Sequence, residues 1–80
     1  MKRLSEAMLA QFLTELRPIE NLTAETTLFS DGTLDSVGLI ALVGFLERTC
    51  HLEVGPADVT LENFDSIARV LAYVDAKGSA

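Results

Sequence analysis

The sequence contains few of the residues that build disulfides, metal sites and nucleic-acid interfaces. It has one cysteine, one histidine and no tryptophan, and only 6% of its residues are aromatic. A lone Cys50 cannot form an intramolecular disulfide, and with only His51 beside it the ligands of a metal site are lacking. Lys and Arg number 6 against 12 Asp and Glu, so the net charge of -6 opposes binding to nucleic acid or anionic lipid. Basic protein partners are expected instead.

Long apolar runs are also missing. No segment approaches the ~20 apolar residues that a membrane span needs, and Ser5 and Glu6 interrupt the region that would form the apolar part of a signal peptide. Together with the unpaired cysteine, this favours a cytoplasmic protein without membrane insertion. Glycine and proline number only 5 and 2, which excludes collagen-like and low-complexity chains. We expect one mostly helical domain over 1–80, with 77–80 as a frayed tail or part of a linker.

The first third of the chain predicts one helix followed by a long loop. Apolar residues recur every three or four positions over residues 4–16, and Pro18 prevents the helix from continuing. Residues 17–35 have neither helical nor strand periodicity, and a connection of this length is normally functional or disordered. Its apolar residues favour order, because four of them are spaced to anchor the loop on a helical core: Ile19, Leu22, Leu28 and Phe29.

A second helix is predicted from Ser36 to Thr49, with Asp35 as its N-cap. One apolar stripe should meet the core, and it consists of Leu39, Leu42, Val43 and Leu46. A second face extends from Ser36 and consists of Val37, Ile40, Ala41 and Gly44. That face is either a docking surface for partners or the side of a central helix covered by its neighbours.

The rest of the chain predicts two further helical segments. Gly55 and Pro56 break the chain, so residues 57–61 can form at most a short helical turn. Asn63 is the expected N-cap of a last helix that runs to Gly78. The predicted fold is therefore all-α, a four-helix bundle with a long loop between helices one and two and a short third helix.

The start of helix two is the most informative position in this arrangement. The first turn of a helix has unpaired backbone N–H groups and the positive end of the helix dipole, so it is suited to hold a phosphate. A phosphate on the Ser36 hydroxyl would be exposed and could bear a long arm while the chain stays folded.

The whole chain resembles the acyl and peptidyl carrier protein family. The residues that carry the resemblance are Gly32, Leu34, Asp35 and Ser36, the apolar positions 37 and 39–43, Leu28 and Phe29 upstream, and residues 62–67 at the last helix. The resemblance implies that Ser36 bears a covalent 4′-phosphopantetheine, transferred from coenzyme A by a separate phosphopantetheinyl transferase, and that Asp35 positions this serine. The arm's thiol would carry an acyl, aminoacyl or peptidyl group as a thioester, and the protein itself would not be an enzyme.

Departures from the family pattern bear on the pathway. Carrier proteins of fatty acid synthesis resemble one another in having several acidic residues along helix two. In this sequence Gly38, Ala41 and Gly44 occupy positions that could hold such acids, and the basic Arg48 follows Glu47. The expected docking face is therefore smoother and more apolar than that of the fatty acid synthesis carriers. It consists of Val37, Ile40, Ala41, Gly44 and Glu47. This favours nonribosomal peptide or polyketide biosynthesis. The alternatives are a fatty acid or D-alanyl type carrier, or an unmodified carrier-like interaction module.

The resemblance also implies the partners, namely the transferase, a loading ligase or acyltransferase, and downstream biosynthetic enzymes. Because several partners share one face, a monomer is expected. If the tethered group is buried between helices, its expected neighbours are Met8, Phe12, Leu39, Leu46, Phe64 and Ile67.

Two rival interpretations of the serines are weaker. A hydrolase with Ser36 as nucleophile would need a base, but His51 lies roughly four helical turns away and the Gly-x-Ser-x-Gly setting is missing. A second Asp-Ser pair, Asp65-Ser66, lacks a preceding long loop and is not expected to be modified.

Overall fold

Four α-helices and one 3₁₀ turn make up the computed structural model, which describes residues 4–78. Helix α1 spans Glu6–Leu16, α2 Ser36–Cys50, α3 Leu61–Phe64 and α4 Ile67–Gly78, with the 3₁₀ turn at Pro56–Asp58. No strand occurs within residues 4–78, and the all-α prediction is confirmed. Residues 1–3 lie outside the described residues, as does the 79–80 part of the predicted tail, whereas α4 continues through Lys77 and Gly78.

The first two helices begin where local side chains satisfy their free N–H groups. Ser5 caps α1 by accepting a hydrogen bond from the Met8 N–H at 3.2 Å. The Asp35 carboxylate caps α2 and accepts from the Gly38 N–H at 3.0 Å, as predicted. Such caps stabilise a helix by about 0.5–2 kcal/mol relative to alanine. They fix the exit of the long loop directly before Ser36.

The predicted start of the last helix was wrong. Asn63 lies inside α3, where its side-chain N–H donates to the Asp58 carbonyl at 2.9 Å, and Thr60 is the N-cap of α3. Helix α4 begins at Ile67, and the Ser66 hydroxyl accepts from the Arg69 N–H at 3.2 Å. The apolar spacing runs on through the break between the two helices, so periodicity alone could not reveal it.

The core combines residues of every helix with two leucines of the long loop. The buried apolar side chains are Leu9, Leu13, Leu28, Leu34, Leu42, Leu46, Phe64, Ile67 and Val70. The predicted loop anchors are confirmed, because Leu28 is buried and the other three pack against this core. Each fully buried leucine contributes about 1.5–3 kcal/mol. The loop is therefore ordered by the same apolar burial that joins the helices.

Helix α2 contacts the core through a slightly different stripe from the predicted one. Leu42 and Leu46 are buried and Leu39 packs against them, but Val43 is only half-buried. Phe45, which the predicted stripe omitted, stacks on Phe12 of α1 with ring centroids 4.3 Å apart. Helices α1 and α3 both pack on α4. In the part of the chain that the structure covers, no helix is long and apolar enough to cross a membrane.

The backbone conformation at the C-terminal end of α2 indicates that a substitution there should stabilise the protein. His51 follows the helix with a left-handed backbone, φ 53° and ψ 45°, and its side chain is exposed. A residue with a Cβ is destabilised by about 1 kcal/mol in this conformation. Glycine avoids this strain, but its larger conformational entropy in the unfolded state offsets part of the gain. We expect His51→Gly to raise the free energy of unfolding by about 0.5 kcal/mol in urea titrations. His51→Ala retains the strained backbone and should stay near the wild type, and an equal gain for both variants would contradict the backbone explanation.

Candidate functional site

Ser36 is the first residue of α2, and its side chain is exposed. No group among residues 4–78 forms a hydrogen bond with its hydroxyl, whereas the neighbouring Asp35 carboxylate is occupied by the Gly38 N–H. The first helical turn has free backbone N–H groups, and an anion there gains about 0.3–1 kcal/mol from the helix dipole. The hydroxyl is therefore open to covalent modification, and the helix end favours a negatively charged substituent.

A tight turn brings the loop to this serine. Gly32 has φ +82°, a conformation that favours glycine, and its N–H donates to the Phe29 carbonyl at 3.0 Å. The Asp31 carboxylate accepts from the Thr33 hydroxyl at 2.7 Å and from the Thr33 N–H at 3.1 Å. The hydrogen bond from the Thr33 hydroxyl is the largest cause of the lowered pKa of Asp31. These local bonds close the turn just before α2.

Leu34 connects the turn to the core. Its side chain is buried, and its N–H donates to the Leu28 carbonyl at 2.8 Å. A Cβ on Gly38 would lie 3.4 Å from the Leu34 Cβ, so the first turn of α2 approaches this leucine closely. Ser36 thus follows a buried anchor by two residues, and its own exposure results from the direction in which this anchor aims the chain.

Asp65, which directly follows α3, holds the same loop in place by hydrogen bonds. One of its carboxylate oxygens accepts from the N–H groups of Leu28 at 3.2 Å, Phe29 at 2.8 Å and Ser30 at 3.0 Å. Its backbone carbonyl also accepts from the Leu28 N–H at 2.8 Å. Sequence reasoning missed this role because no local pattern signals a contact between residues 36 positions apart.

Ser66, the other member of the second Asp-Ser pair, is engaged differently. Its side chain is only 6% exposed, and its hydroxyl accepts from the Arg69 N–H. A buried hydroxyl that caps a helix is poorly placed to accept a modifying group, in contrast to that of Ser36.

We expect the contribution of the Asp65 carboxylate to the free energy of unfolding to depend on pH. Burial acts to raise its pKa, but the hydrogen bonds donated by Ser30, Phe29 and Leu28 outweigh burial and hold the pKa below its ordinary value of 3.8. A lowered folded-state pKa means that this stabilisation is present above 3.8 and is lost as the pH falls through the folded-state value. We expect Asp65→Asn to lower the free energy of unfolding by about 1–2 kcal/mol at pH 6.

The measurement is urea unfolding of wild type and Asp65→Asn at a series of pH values. The difference between the two proteins should narrow as the pH falls below 3.8. Other carboxylates are common to both proteins, so their titration cancels in that difference. Two parallel stability curves would show that the Asp65 carboxylate does not fasten the loop.

The structure separates the residues of the predicted docking face. Val37 and Ile40 are each 71% exposed, and Ile40 follows Ser36 by about one helical turn. Ala41 and Gly44 are half-buried, and a Cβ on Gly44 would lie 3.2 Å from the Arg48 guanidinium. Val37 and Ile40 are therefore the accessible apolar part of this face.

Two further positions on α2 differ from what their spacing suggested. Glu47 is half-buried, and its carboxylate accepts from the Val54 N–H at 2.9 Å, which ties the segment after α2 back to the helix. Gly38 is buried, so it is not a surface position at which an acid would face a partner.

Leu61 of α3 is 54% exposed and adds an apolar side chain that sequence reasoning did not single out.

A small apolar cavity lies between the loop, α2 and α3. Its volume is about 160 Å³, and its lining consists of Phe29, Leu39, Val59, Thr60, Leu61 and Phe64. Of the expected cargo neighbours, Leu39 and Phe64 line this cavity, whereas Met8, Phe12, Leu46 and Ile67 do not. Leu39 follows Ser36 by one helical turn, so the cavity lies near the serine.

His51, the histidine that a hydrolase would need as its base, does not lie beside Ser36. His51 stands beyond the other end of α2, which at 15 residues places it about 22 Å away along the helix axis. Among residues 4–78 no group of three or more His, Cys, Asp or Glu side chains is placed to hold a metal ion. What the site does provide is an exposed hydroxyl on a rigid helix end, beside an apolar surface.

Comparison with known proteins agrees with this chemistry. Residues 6–74 match the family model described as the phosphopantetheine attachment site. The chain is also 32% identical to a D-alanyl carrier protein of Abiotrophia defectiva over 56 residues, which cover 70% of this chain and 71% of that protein. The residues present fit the cofactor of that family, because attachment requires an exposed hydroxyl and the helix end favours its phosphate. The protein therefore belongs to the phosphopantetheine-binding carrier protein family, and its cofactor is a covalently attached 4′-phosphopantetheine.

Proposed function

We propose that Ser36 is the residue that carries 4′-phosphopantetheine and that the protein presents an acyl, aminoacyl or peptidyl thioester to partner enzymes. The observation that supports this most directly is the exposed Ser36 hydroxyl, without a hydrogen-bond partner among residues 4–78, at the first position of α2. When attached, the cofactor supplies a reactive thiol at the end of a flexible arm. The chain itself supplies the position of the arm and the surface that partners recognise.

The surface around Ser36 suits a succession of partners. Val37 and Ile40 offer exposed apolar contacts, with Ala41, Gly44 and Glu47 at their margin. The net charge of -6 favours partners with basic surfaces. Tethering raises the effective concentration of the bound intermediate at each docked enzyme. The protein thus contributes location and recognition and performs no catalysis.

The partners in this proposal are a phosphopantetheinyl transferase, a loading ligase or acyltransferase, and downstream biosynthetic enzymes. They would use the same face of α2 in turn, which supports a monomer. The lone Cys50 and the acidic composition are consistent with a cytoplasmic site of action.

The smooth apolar face of α2 supports a role in nonribosomal peptide or polyketide biosynthesis. Apart from Glu47, which is half-buried, this face has small residues at Ala41 and Gly44 and lacks the several acids that carriers of fatty acid synthesis resemble one another in having. A second candidate is a carrier of D-alanine, which the similarity to the Abiotrophia defectiva protein favours. The two candidates share the arm and the docking face and differ in the group that is loaded.

The proposal is tested by the mass of the intact protein after incubation with coenzyme A, magnesium and a transferase of broad specificity. We expect one phosphopantetheine adduct, and fragmentation should locate it within residues 32–39. A folded protein that acquires no adduct would contradict the proposal and favour an unmodified interaction module.

The cargo is then decided by loading the modified protein. The modified protein is incubated with ATP and a D-alanine-activating ligase, and in parallel with enzymes that load other amino acids or short acyl groups. A mass increase with D-alanine alone would establish the second candidate. Loading by an amino-acid-activating or acyl-transferring enzyme of a peptide or polyketide pathway would support the first.

A further inference from the structure

Asp65 lies far from Ser36 in sequence but fastens the loop that delivers this serine. We propose that Asp65 is a positioning residue, which holds residues 28–34 in the conformation from which the transferase modifies Ser36. This inference rests on the proposed function, because it concerns the same modification.

The contacts form a continuous connection from Asp65 to the serine. The carboxylate accepts three successive backbone N–H groups, those of Leu28, Phe29 and Ser30, at 2.8–3.2 Å. The Leu28 carbonyl in turn accepts from the Leu34 N–H at 2.8 Å. Leu34 directly precedes the N-cap of α2. A displacement of residues 28–30 therefore moves the residues that enter the helix.

A second contact holds the loop at an earlier residue. The Ala68 N–H, in the first turn of α4, donates to the Ala24 carbonyl at 2.9 Å. The junction between α3 and α4 thus holds the loop both at residue 24 and at residues 28–30. Between these points the loop has no helix or strand of its own.

The apolar anchors allow the role of Asp65 to be separated from folding. Leu28 is fully buried and Leu34 is 5% exposed, so both remain attached to the core by burial when the carboxylate is changed. Asp65→Asn replaces the charged acceptor by a neutral amide oxygen and weakens these bonds, and Asp65→Ala leaves the N–H groups of Phe29 and Ser30 without their acceptor, while the Leu28 N–H keeps the Asp65 backbone carbonyl. The loop then samples conformations that expose these N–H groups to water. None of these bonds lies within a helix.

Loosening the loop has a defined kinetic consequence. If only a fraction of the molecules holds the conformation that the transferase recognises, the apparent affinity falls by that fraction. Once bound, the serine reacts as in the wild type. We therefore expect Asp65→Asn to raise the KM for this protein as transferase substrate roughly tenfold, with kcat unchanged within about twofold.

The experiment measures transferase kinetics and backbone amide exchange on wild type, Asp65→Asn and Asp65→Ala. Asp58→Asn is the matched control, since the Asp58 carboxylate also accepts side-chain hydrogen bonds, from Tyr73 at 2.8 Å and Lys77 at 3.0 Å, but none from residues of the loop. We expect faster exchange at residues 28–34 and a raised KM for both Asp65 variants, with the larger effect in Asp65→Ala. Asp58→Asn should retain the wild-type KM and the wild-type exchange in the loop.

The outcomes distinguish this inference from the proposed function. If the wild type acquires no adduct at all, the proposed function fails. If the wild type is modified and Asp65→Asn shows faster loop exchange with an unchanged KM, the positioning role is refuted while the proposed function stands. An equal rise of KM in Asp65→Asn and Asp58→Asn would likewise refute it, because general destabilisation would then suffice. Asp65→Asn keeps a carbonyl oxygen at the site and decides the question if Asp65→Ala does not fold.

Discussion

Ser36→Ala is expected to abolish attachment of phosphopantetheine and, with it, every subsequent loading step. The hydroxyl oxygen is the atom to which the phosphate would be joined, and alanine has no group that can replace it. The side chain is exposed at the first position of α2, and alanine is a good helix former, so stability should stay within about 0.5 kcal/mol of the wild type. The measurement is intact mass together with a thermal melt.

Ser66→Ala is the matched control for this substitution. It removes a serine that also follows an aspartate, but this serine is 6% exposed and caps α4. We expect a loss of about 1 kcal/mol in stability and full modification. An adduct on Ser36→Ala, or its loss in folded Ser66→Ala, would show that the wrong serine has been assigned.

Leu42→Ala and Ile40→Ala are expected to have opposite effects although they lie two residues apart on α2. Leu42 is fully buried, and its truncation should lower the free energy of unfolding by about 2–5 kcal/mol through lost burial and the cavity that remains. For a domain of this size that is a fall of roughly 10 °C or more in Tm. Ile40 is 71% exposed, and its truncation should change stability by less than about 0.5 kcal/mol.

For partner binding, in contrast to stability, we expect Ile40→Ala to have the larger effect of the two variants. Loss of an apolar contact at the centre of a docking face costs more than about 1 kcal/mol, so the KM of Ile40→Ala as transferase substrate should rise roughly fivefold or more. Leu42→Ala, measured at a temperature where it is folded, should bind as the wild type does. Equal destabilisation by both variants would show that Ile40 is part of the core. An unchanged KM for Ile40→Ala would remove it from the docking face.

Much of the fold follows from local sequence patterns. Apolar spacing predicts α1, α2 and the body of α4, and Pro18 marks the end of the first helix. The cap at Asp35 and the position of Ser36 at a helix start depend on neighbouring residues only, which is why they could be predicted. The loop anchors were also found, because isolated apolar residues in a polar segment have a strong reason to be buried.

The surroundings of the site were decided by side-chain contacts that helical spacing does not reveal. Gly38 is buried against Leu34, Arg48 lies against Gly44, and the Glu47 carboxylate accepts from the Val54 N–H, so a face read from helical spacing alone was too broad. Helices α3 and α4 each begin at a hydroxyl cap, Thr60 and Ser66, within an uninterrupted apolar pattern.

By itself, the sequence determined that this is a small all-α protein with an accessible serine at the start of its second helix, since helix periodicity and capping act over a few residues. Only the tertiary structure decided what holds that serine in place. The Asp65 carboxylate reaches the loop across 36 positions of sequence, and such a bond exists only after burial of Leu28 and Phe64 has brought the two segments together.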